Sequence, residues 1–418
     1  MLHNATGGRP SGDNVRVTAT GPLQTIVDSL AADIRRDVAI DDRQIRWIVH
    51  SPHFGEPDAA RLQSILERRS SDDAAQWAFS FGIEQAEGPV RLPANEQIGA
   101  QPRLCIPLRS HGVLLGFLFI VDPDESLSEP EIEQAQAAAS AAAGVLYRER
   151  RLRELERGRE RWLLLHLLTG DGADAEDAAR ALVDEGFLDA RRVAVLVVRT
   201  EPGPHDRERA ELAIGAALDR LRRVVPARGG VELRKPDHGA FLLALDDSAT
   251  ISARALAERL LELADEATGA ERLEATARVG VGGPQDLAAA RRSYREACDA
   301  VAVAERVERF GRIATWDELG AYRTLARFPS DAADGALHPG LAALLGDPAH
   351  APLVETLEAY LDLAGDAKAT AAALSLHRAT LYYRINRIEE ITGARLKTGE
   401  DRLALHLGLR LARLHGPR

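Results

Sequence analysis

The sequence predicts a multidomain α+β protein, and three observations support that prediction. The chain has 418 residues, which exceeds one ordinary domain and favours two to four. Two stretches, 22–146 and 192–308, alternate strand-like apolar runs with helical ones, as α/β domains do. The last stretch, 351–418, carries helical periodicity alone, which predicts an all-α domain at the C-terminus.

Six segments are expected along the chain. They are a disordered leader (1–21), a first α/β domain (22–146), a signalling or dimerisation helix (147–170), a second α/β domain (171–312), a linker (313–350) and a helical domain (351–418).

The first α/β domain is predicted from apolar runs separated by turn residues. Helices are expected at 23–36 and 59–68, with the strand IRWIVHS between them. The strands RLCIPLRS and VLLGFLFIVD follow, and the turn His111-Gly112 predicts that they form a hairpin. Ser128, with Glu131 three residues later, predicts the capped start of the next helix.

This order of elements resembles a GAF-type sensory domain. The resemblance implies either a small-molecule site between sheet and helices or a platform for dimerisation, and the residues leave both open. Trp47, His50 and His53 are candidates to line such a pocket, although each also suits a core or loop position.

The helix that begins near Glu131 is expected to continue to about residue 170. Its apolar residues form an imperfect seam among dense charges, and they are Ile132, Ala139, Leu146, Leu152, Leu155 and Trp162. A helix of this length cannot bury itself, so we expect it to pair with its copy in a dimer. Packing of its Ala-rich part on the first sheet is the alternative.

The second α/β domain is expected to run strand, helix, hairpin, helix, strand and helix over residues 192–308. This order resembles a nucleotidyl-cyclase-like domain, in which a Gly-Gly-Asp/Glu-Glu-Phe turn would approach the nucleotide and hold Mg²⁺. The chain instead has Asp237-His238-Gly239-Ala240-Phe241, so the resemblance implies a degenerate, noncatalytic domain. A catalytic hypothesis would be tested at Asp237 and His238.

Other catalytic motifs are weak in this sequence. Gly280, Gly282, Gly283 and Pro284 follow a strand but lack the Lys-Ser/Thr of a P-loop, so we interpret them as a turn. The sequence contains no Cys-x-x-Cys, His-Glu-x-x-His or Gly-x-Ser-x-Gly motif. We therefore expect a protein that is not an enzyme, with no catalytic residue, metal or cofactor assigned.

The segment SLHRATLYYRINRI, residues 375–388, predicts the second helix of a helix-turn-helix motif. On a helical wheel, one face holds Leu381, Ile385 and Ile388. The opposite face holds Ala379, Tyr383 and Asn386. Arginines flank that face, and residues 375–388 contain no Asp or Glu, as a helix in the major groove of DNA requires. An ordinary amphipathic helix with solvated arginines is the alternative.

The flanking segments predict the rest of a small helical domain. Asp366 is expected to cap the short helix KATAAAL, and Thr398 with Asp401 predicts a capping box. The last helix is expected to close the domain with a leucine stripe, formed by Leu403, Leu407, Leu411 and Leu414.

Three motifs, HRATLYYR, RIEEITG and EDRLAL, make residues 352–414 resemble the C-terminal domain of the PucR/CdaR family of bacterial transcriptional regulators. Ala379 departs from the family, which commonly has Asn there, and this places the base preference in question. The resemblance implies binding to operator DNA, a small-molecule effector and a homodimer or higher homo-oligomer. The expected DNA-binding residues are His377, Arg378, Ala379, Thr380, Tyr382, Tyr383, Arg384, Asn386 and Arg387.

Roles are expected for each of these residues. His377 would start the helix. The residues expected to meet bases are Arg378, Ala379, Tyr383 and Asn386. Those expected to meet mainly phosphates are Thr380, Tyr382, Arg384 and Arg387.

Charge is distributed unevenly along the chain. Residues 352–418 carry 10 Lys and Arg against 8 Asp and Glu, whereas the rest carries 43 against 56. Only the C-terminal domain is thus suited to a polyanion. Cys105 and Cys298 are interpreted as small core residues, and no apolar run reaches the length of a membrane span. A cytoplasmic protein with no membrane partner is expected.

Two other classes of function remain open from the sequence. A cyclase-type or nucleotide-binding signalling protein would act through residues 192–308. A protein-interaction scaffold would use the helical tail to bind protein, and its binding to DNA would be absent or insensitive to salt.

Overall fold

The computed structural model describes residues 20–54, 71–203, 205–245, 252–271, 275–328 and 337–415. The chain divides between Arg157 and Gly158 into two compact units. The predicted helix at 59–68 lies outside the described residues, as do residues 1–19 of the predicted leader. Among the described residues, no helix combines the length and apolarity that a membrane span needs.

The first unit is built around a five-stranded antiparallel sheet in the order β2-β1-β5-β4-β3. Its elements are α1 (Thr20–Ile34), β1 (Val38–Asp41), β2 (Trp47–His50), α2 (Asp72–Phe79), β3 (Val90–Leu92), β4 (Arg103–Ser110), β5 (Val113–Val121) and α3 (Glu129–Thr169). The sequence did not predict β1, α2 and β3, because three to eight residues are too few to show a period.

The predicted hairpin and helix cap are confirmed in this unit. His111 and Gly112 both have positive φ, of 50° and 77°, as the tight turn between β4 and β5 requires. The carboxylate of Glu131 accepts hydrogen bonds from the backbone N of Ser128 at 2.8 Å and from its hydroxyl at 2.6 Å. These bonds lower the pKa of Glu131. Helix α3 then continues unbroken to Thr169.

Two apolar clusters hold the first unit together. One packs α1 and the N-terminal part of α3 against the sheet, through residues such as Leu23, Leu118 and Ala142. The Ala-rich part of α3 therefore packs on the sheet, as the alternative for this segment anticipated. The other cluster includes Phe117 and Ala78, the latter from α2. The GAF likeness of this unit remains a prediction.

The candidate pocket residues of the first unit lie close together along β2 and in the loop that follows it. The ring centroids of Trp47 and His50 are 5.3 Å apart, and those of His50 and His53 are 6.3 Å apart. Nδ1 of His53 lies 3.1 Å from a carboxylate oxygen of Asp37, whose other oxygen accepts from the backbone N of Phe54. These contacts hold the loop after β2 in place, and a ligand role for the three rings stays a prediction.

The second unit contains a six-stranded sheet with helices on both faces. Its elements are α4 (Gly172–Asp184), β6 (Arg192–Thr200), α5 (Arg207–Val224), β7 (Gly230–Arg234), β8 (Gly239–Leu245), α6 (Ala253–Ala270), β9 (Ala277–Val281), β10 (Gln285–Asp286), α7 (Ala290–Arg306), β11 (Ile313–Thr315) and α8 (Tyr322–Leu325). The strand order is β11-β9-β6-β8-β7, with β10 beside β6. One face is covered by α5 and α6, and the other by α4, α7 and the end of α3. The predicted alternation of strands and helices is confirmed.

The interpretation of Gly280, Gly282, Gly283 and Pro284 as a turn is wrong for Gly280, whereas the other three residues connect β9 to β10. Gly280 lies within β9, where a Cβ atom would collide with the backbone of Ala297 in α7. A Cβ atom on Gly282 would meet Ser293 in the same helix, with Oγ at 2.6 Å. These positions let β9 and α7 approach each other more closely than any side chain would allow.

The C-terminal domain is all-helical, as predicted. It comprises α9 (Pro339–Leu345), α10 (Ala351–Asp362), α11 (Ala367–Ala373), α12 (Arg378–Thr392) and α13 (Gly399–His415). The segment 313–350, for which the sequence predicted a linker, contains β11, α8 and α9. Strand β11 pairs in parallel with β9, and α9 buries Leu341 and Leu344 in the helical core.

Helix α13 has two apolar faces. The face that packs into the core of the helical domain is not the one that carries the predicted leucine stripe. Leu405 and Leu409 pack into that core. The stripe lies on the opposite side, where Leu411 and Leu414 pack against residues of the preceding domain, including Tyr322. Its first member, Leu403, is 59% exposed, and Leu407 is exposed as well. The sequence showed a leucine stripe but not which face the neighbouring helices would cover.

Candidate nucleic-acid interface

Helices α11 and α12 form a helix-turn-helix, positioned by local capping. The carboxylate of Asp366 accepts hydrogen bonds from the backbone N of Lys368 at 2.9 Å and of Ala369 at 3.0 Å, which starts α11 as predicted. The connecting turn passes through Ser375 in a left-handed conformation with φ of 53°. Nδ1 of His377 then accepts from the backbone N of Ala379 at 3.3 Å, so His377 is the N-cap of α12.

The inner face of α12 matches the helical-wheel prediction. Leu381, Ile385 and Ile388 are buried in the core of the helical domain. The helix ends at Gly393, whose φ of 69° is the left-handed conformation that glycine adopts readily after a helix. Packing and both caps therefore fix how α12 is rotated.

The outer face of α12 is exposed along its length. Tyr383 is 70% exposed and Tyr382 is 43% exposed. The other candidate residues that are exposed are His377, Arg378, Ala379, Thr380, Asn386 and Arg387. The major groove of DNA is wide enough for an α-helix, and polar side chains on its exposed face can bond the base edges there.

Two arginines border this exposed face. The guanidinium of Arg378 lies over the ring of Tyr382, 5.5 Å from its centroid, and Nη2 is 3.4 Å from the tyrosine hydroxyl. Nη1 of Arg387 lies 2.8 Å from a carboxylate oxygen of Glu390. This exposed ion pair is weak in water, so Arg387 can exchange it for a phosphate.

Arg384 differs from the other candidate residues because it reaches into the domain. Its Nη1 atom donates to the hydroxyl of Thr356 at 3.0 Å and lies 3.3 Å from the carbonyl oxygen of Pro352. The side chain is half-buried. The contacts to α10 were not visible in the sequence, because Thr356 lies 28 residues away.

The start of α13 is fixed by half of the predicted capping box. The hydroxyl of Thr398 accepts from the backbone N of Asp401 at 3.4 Å. The carboxylate of Asp401 accepts from the backbone N of Arg395 at 2.7 Å, whereas the backbone N of Thr398 bonds the carbonyl of Arg395. The Arg395 N–H also lowers the pKa of Asp401. Arg395, together with Lys397 and Lys368, is an exposed cation that the sequence analysis did not single out.

The degenerate turn of the preceding domain joins β7 to β8. The backbone N of Lys235 donates to the carbonyl of His238 at 2.9 Å, and a 2.7 Å hydrogen bond joins Nε2 of His238 to the hydroxyl of Tyr294. His238 is buried, whereas Asp237 is exposed. Burial lowers the pKa of His238, and the adjacent Asp237 carboxylate opposes that effect.

Within the part of the chain that the structure describes, no group of three or more His, Cys, Asp or Glu side chains could hold a metal ion. Tyr294, the hydrogen-bond partner of His238, was not predicted as a site residue from the sequence. It lies on the buried apolar face of α7, which is the position of a core residue.

Comparison with known proteins agrees with both domains. Residues 353–411 match the PucR C-terminal helix-turn-helix domain, and residues 169–303 match the GGDEF-like domain. The chain is 22% identical over 399 residues to the DNA-binding transcriptional activator AdeR of Bacillus subtilis, which covers 93% of this chain and 92% of AdeR. It is 20% identical over 415 residues to the proline-responsive transcriptional activator PutR of the same organism, covering 95% and 98%.

A shorter stretch of the chain matches the carbohydrate diacid regulator of Escherichia coli at higher sequence identity. It is 54% identical over 43 residues, which is 10% of this chain and 11% of that protein.

Proposed function

This chain is a DNA-binding transcriptional regulator of the PucR type, and we propose that it recognises its operator with α12. The observation that carries the proposal is the arrangement of this helix, whose apolar face is buried and whose opposite face is exposed and free of carboxylates up to Glu389. Such a helix presents side chains to base edges when it lies in the major groove.

The contacts divide into base and phosphate contacts. The proposed base contacts come from Arg378, Ala379, Tyr383 and Asn386, of which the last three form the centre of the exposed face. Arg378 can pair with guanine and Asn386 with adenine. The proposed phosphate contacts come from Thr380, Tyr382 and Arg387, with His377 near the backbone.

Arg384 has a different role in this proposal. Its bonds to Thr356 and Pro352 support a positioning function, in which it holds α12 against α10 and contacts phosphate only at the edge of the interface. A mutation here would alter DNA binding through the placement of the helix.

We further propose that the chain acts as a homodimer through α3. Leu152 and Leu155 are 60% and 64% exposed, and Trp162, seven residues after Leu155, is also exposed. Spacings of three and seven residues place these side chains on one seam of a paired helix. A dimer would present two copies of α12 to paired half-sites. A single copy would contact too few base pairs to distinguish the operator from other DNA. Sedimentation of Leu152→Asp/Leu155→Asp tests this, because a dimer of unchanged stability would contradict it.

The remaining domains complete the proposed regulator. The first unit is assigned the sensing of a small-molecule effector, on its GAF-like order of elements. The GGDEF-like domain is proposed to be noncatalytic, which is supported by the burial of His238 against Tyr294 where a cyclase would need an open nucleotide turn. Conversion of GTP in the presence of Mg²⁺, lost in Asp237→Ala, would contradict that proposal.

The experiment that tests the role of α12 uses two variants and one matched control. Arg378→Ala and Tyr383→Ala are each expected to weaken operator binding by about tenfold or more, since a good base contact contributes about 1–3 kcal/mol. Leu403→Ala is the control, because Leu403 is a large exposed side chain on α13 of the same domain. Retained operator affinity in both α12 variants, with unchanged unfolding curves, would overturn the assignment.

A further inference from the structure

A large open cavity lies in the GGDEF-like domain, on the face of the sheet covered by α4 and α7. It has a volume of about 790 Å³. Its lining residues are Gly170, Gly172, Ala175, Glu176, Ala288, Ala289, Arg291, Arg292, Arg295, Asp299 and Arg327. The size falls within the range of about 300–1,000 Å³ that small-molecule sites occupy. The cavity is separate from the degenerate turn between β7 and β8.

Four arginines face this cavity and only two carboxylates do. Arg291 donates to the carbonyl of Gly170 at 3.0 Å and pairs with Asp171. Nε of Arg292 lies 3.0 Å from a carboxylate oxygen of Glu296. These two arginines are thereby held in place.

The two remaining arginines are less constrained. Nε of Arg327 lies 3.5 Å from a carboxylate oxygen of Asp299, and burial raises the pKa of that carboxyl group although Arg327 opposes the shift. Arg295 is exposed, and no ion pair within 4 Å joins it to another described residue, although its charge, like that of Arg327, opposes the rise in the pKa of Asp299. The guanidinium of Arg295 is therefore available to a ligand.

The backbone around the cavity favours an anion as well. Gly170, Gly172, Ala175, Ala288 and Ala289 have small side chains that leave the backbone accessible. Helix α4 begins at this wall without a side-chain cap, because the carboxylate of its N-cap residue Asp171 turns to Arg291. Helix α7 begins at the same wall but continues directly from a 3-10 turn (Leu287–Ala289), so only the start of α4 presents uncapped amides here. Amide groups at an uncapped helix start attract negative charge.

We propose that this cavity binds a small molecule that carries a diphosphate or triphosphate group. Adjacent phosphates can each accept two parallel hydrogen bonds from a guanidinium, so several arginines on one wall match a polyphosphate better than a single carboxylate. The small residues at the start of α4 leave room for the phosphate oxygens to reach backbone amides. Arg295 is the residue assigned to direct contact.

Inorganic pyrophosphate is the probe that tests this proposal. Calorimetric titration of the full-length chain at constant ionic strength is expected to give saturable binding at one site. Arg295→Ala should raise the Kd for pyrophosphate by about tenfold, as expected for the loss of one charge-assisted pair. Arg295→Lys keeps the charge without the fork and should give a smaller increase.

The matched control is Arg223→Ala. Arg223 is also exposed and has no ion-pair partner among the described residues, but it lies on α5, on the other face of the sheet. This variant is expected to bind pyrophosphate as the unaltered chain does. The absence of pyrophosphate binding, or an equal Kd in Arg295→Ala and Arg223→Ala, would overturn the proposal. Citrate is the carboxylate comparison, and binding of citrate without binding of pyrophosphate would overturn the phosphate assignment.

Discussion

Nη1 of Arg384 lies 3.0 Å from Oγ1 of Thr356, and this hydrogen bond ties α12 to α10. Thr356 is fully buried, and its hydroxyl donates to the carbonyl of Pro352 at 2.7 Å. The half-buried arginine bonds a buried hydroxyl, whereas Tyr383 and Asn386 on α12 are exposed. Position around the helix axis thus separates Arg384, which contacts α10, from the exposed residues that are proposed to contact DNA.

The first prediction concerns the stability of the helical domain. Arg384→Met keeps the apolar stem but removes the donor to Thr356, and it should lower the free energy of unfolding by about 1 to 2 kcal/mol. Arg387→Met is the control, since its exposed pair with Glu390 contributes less than about 1 kcal/mol. Urea unfolding measures both. Equal losses in the two variants would show that Arg384 does not hold the domain together.

The second prediction separates base from phosphate contacts. Asn386→Ala should relax the preference for one base of the operator, because an amide can bond adenine in two places. Arg387→Ala should weaken binding to every sequence alike. It should also reduce the slope of log K against log salt concentration by about 1, as expected for the loss of one phosphate contact. Fluorescence anisotropy with operator and scrambled DNA across a salt series measures both effects. Only Asn386→Ala should weaken the preference for operator over scrambled DNA, and only Arg387→Ala should reduce the salt dependence. The same change in both variants would contradict this division of contacts.

The third prediction tests the close packing of β9 on α7. Gly282→Ala places a methyl group against Ser293, whose Oγ also accepts from the backbone N of Val195 at 2.9 Å. The displacement should cost about 1–3 kcal/mol of stability. Gly269→Ala is the control, because nothing lies within 4 Å of its added Cβ and helix α6 favours alanine. Thermal unfolding should show a lower Tm only for Gly282→Ala.

The fourth prediction concerns pH. Burial lowers the pKa of His238 in the folded chain, so the unfolded chain takes up a proton first as the pH falls. The stability from neutral His238 is complete above about pH 6.5 and is lost as the pH falls below that value. His238→Phe keeps an aromatic ring beside Tyr294 but cannot be protonated. Urea unfolding at pH 7.5 and 5.5 should show a smaller loss on acidification in the variant than in the unaltered chain.

Much of the fold could be predicted from the sequence because local signals were strong. The turn His111-Gly112 predicted a hairpin, and the order of strands and helices in 192–308 is the observed one. Short elements such as β3 carry too few residues for periodicity. Gly280 was interpreted as part of a turn, because its close approach to α7 depends on residues that meet it only in the folded chain.

The candidate site was predictable in part for the same reason. Helical spacing alone identified Leu381 as buried and Tyr383 as exposed. Spacing could not show that Arg384 bends back to Thr356, because that contact depends on how α10 and α12 pack. Leu403 and Leu407 share a stripe with buried leucines, yet no pattern in α13 shows where the neighbouring domain ends.

The role of α12 is best tested by measuring how the full-length chain and its Arg378→Ala/Arg387→Ala double variant bind the chain's own upstream intergenic DNA over a salt series. We expect the unaltered chain to bind specifically, with an affinity that falls steeply with salt, and the double variant to lose that binding while its unfolding curve stays the same. Specific binding of equal strength and equal salt dependence in both proteins would contradict the role assigned to α12.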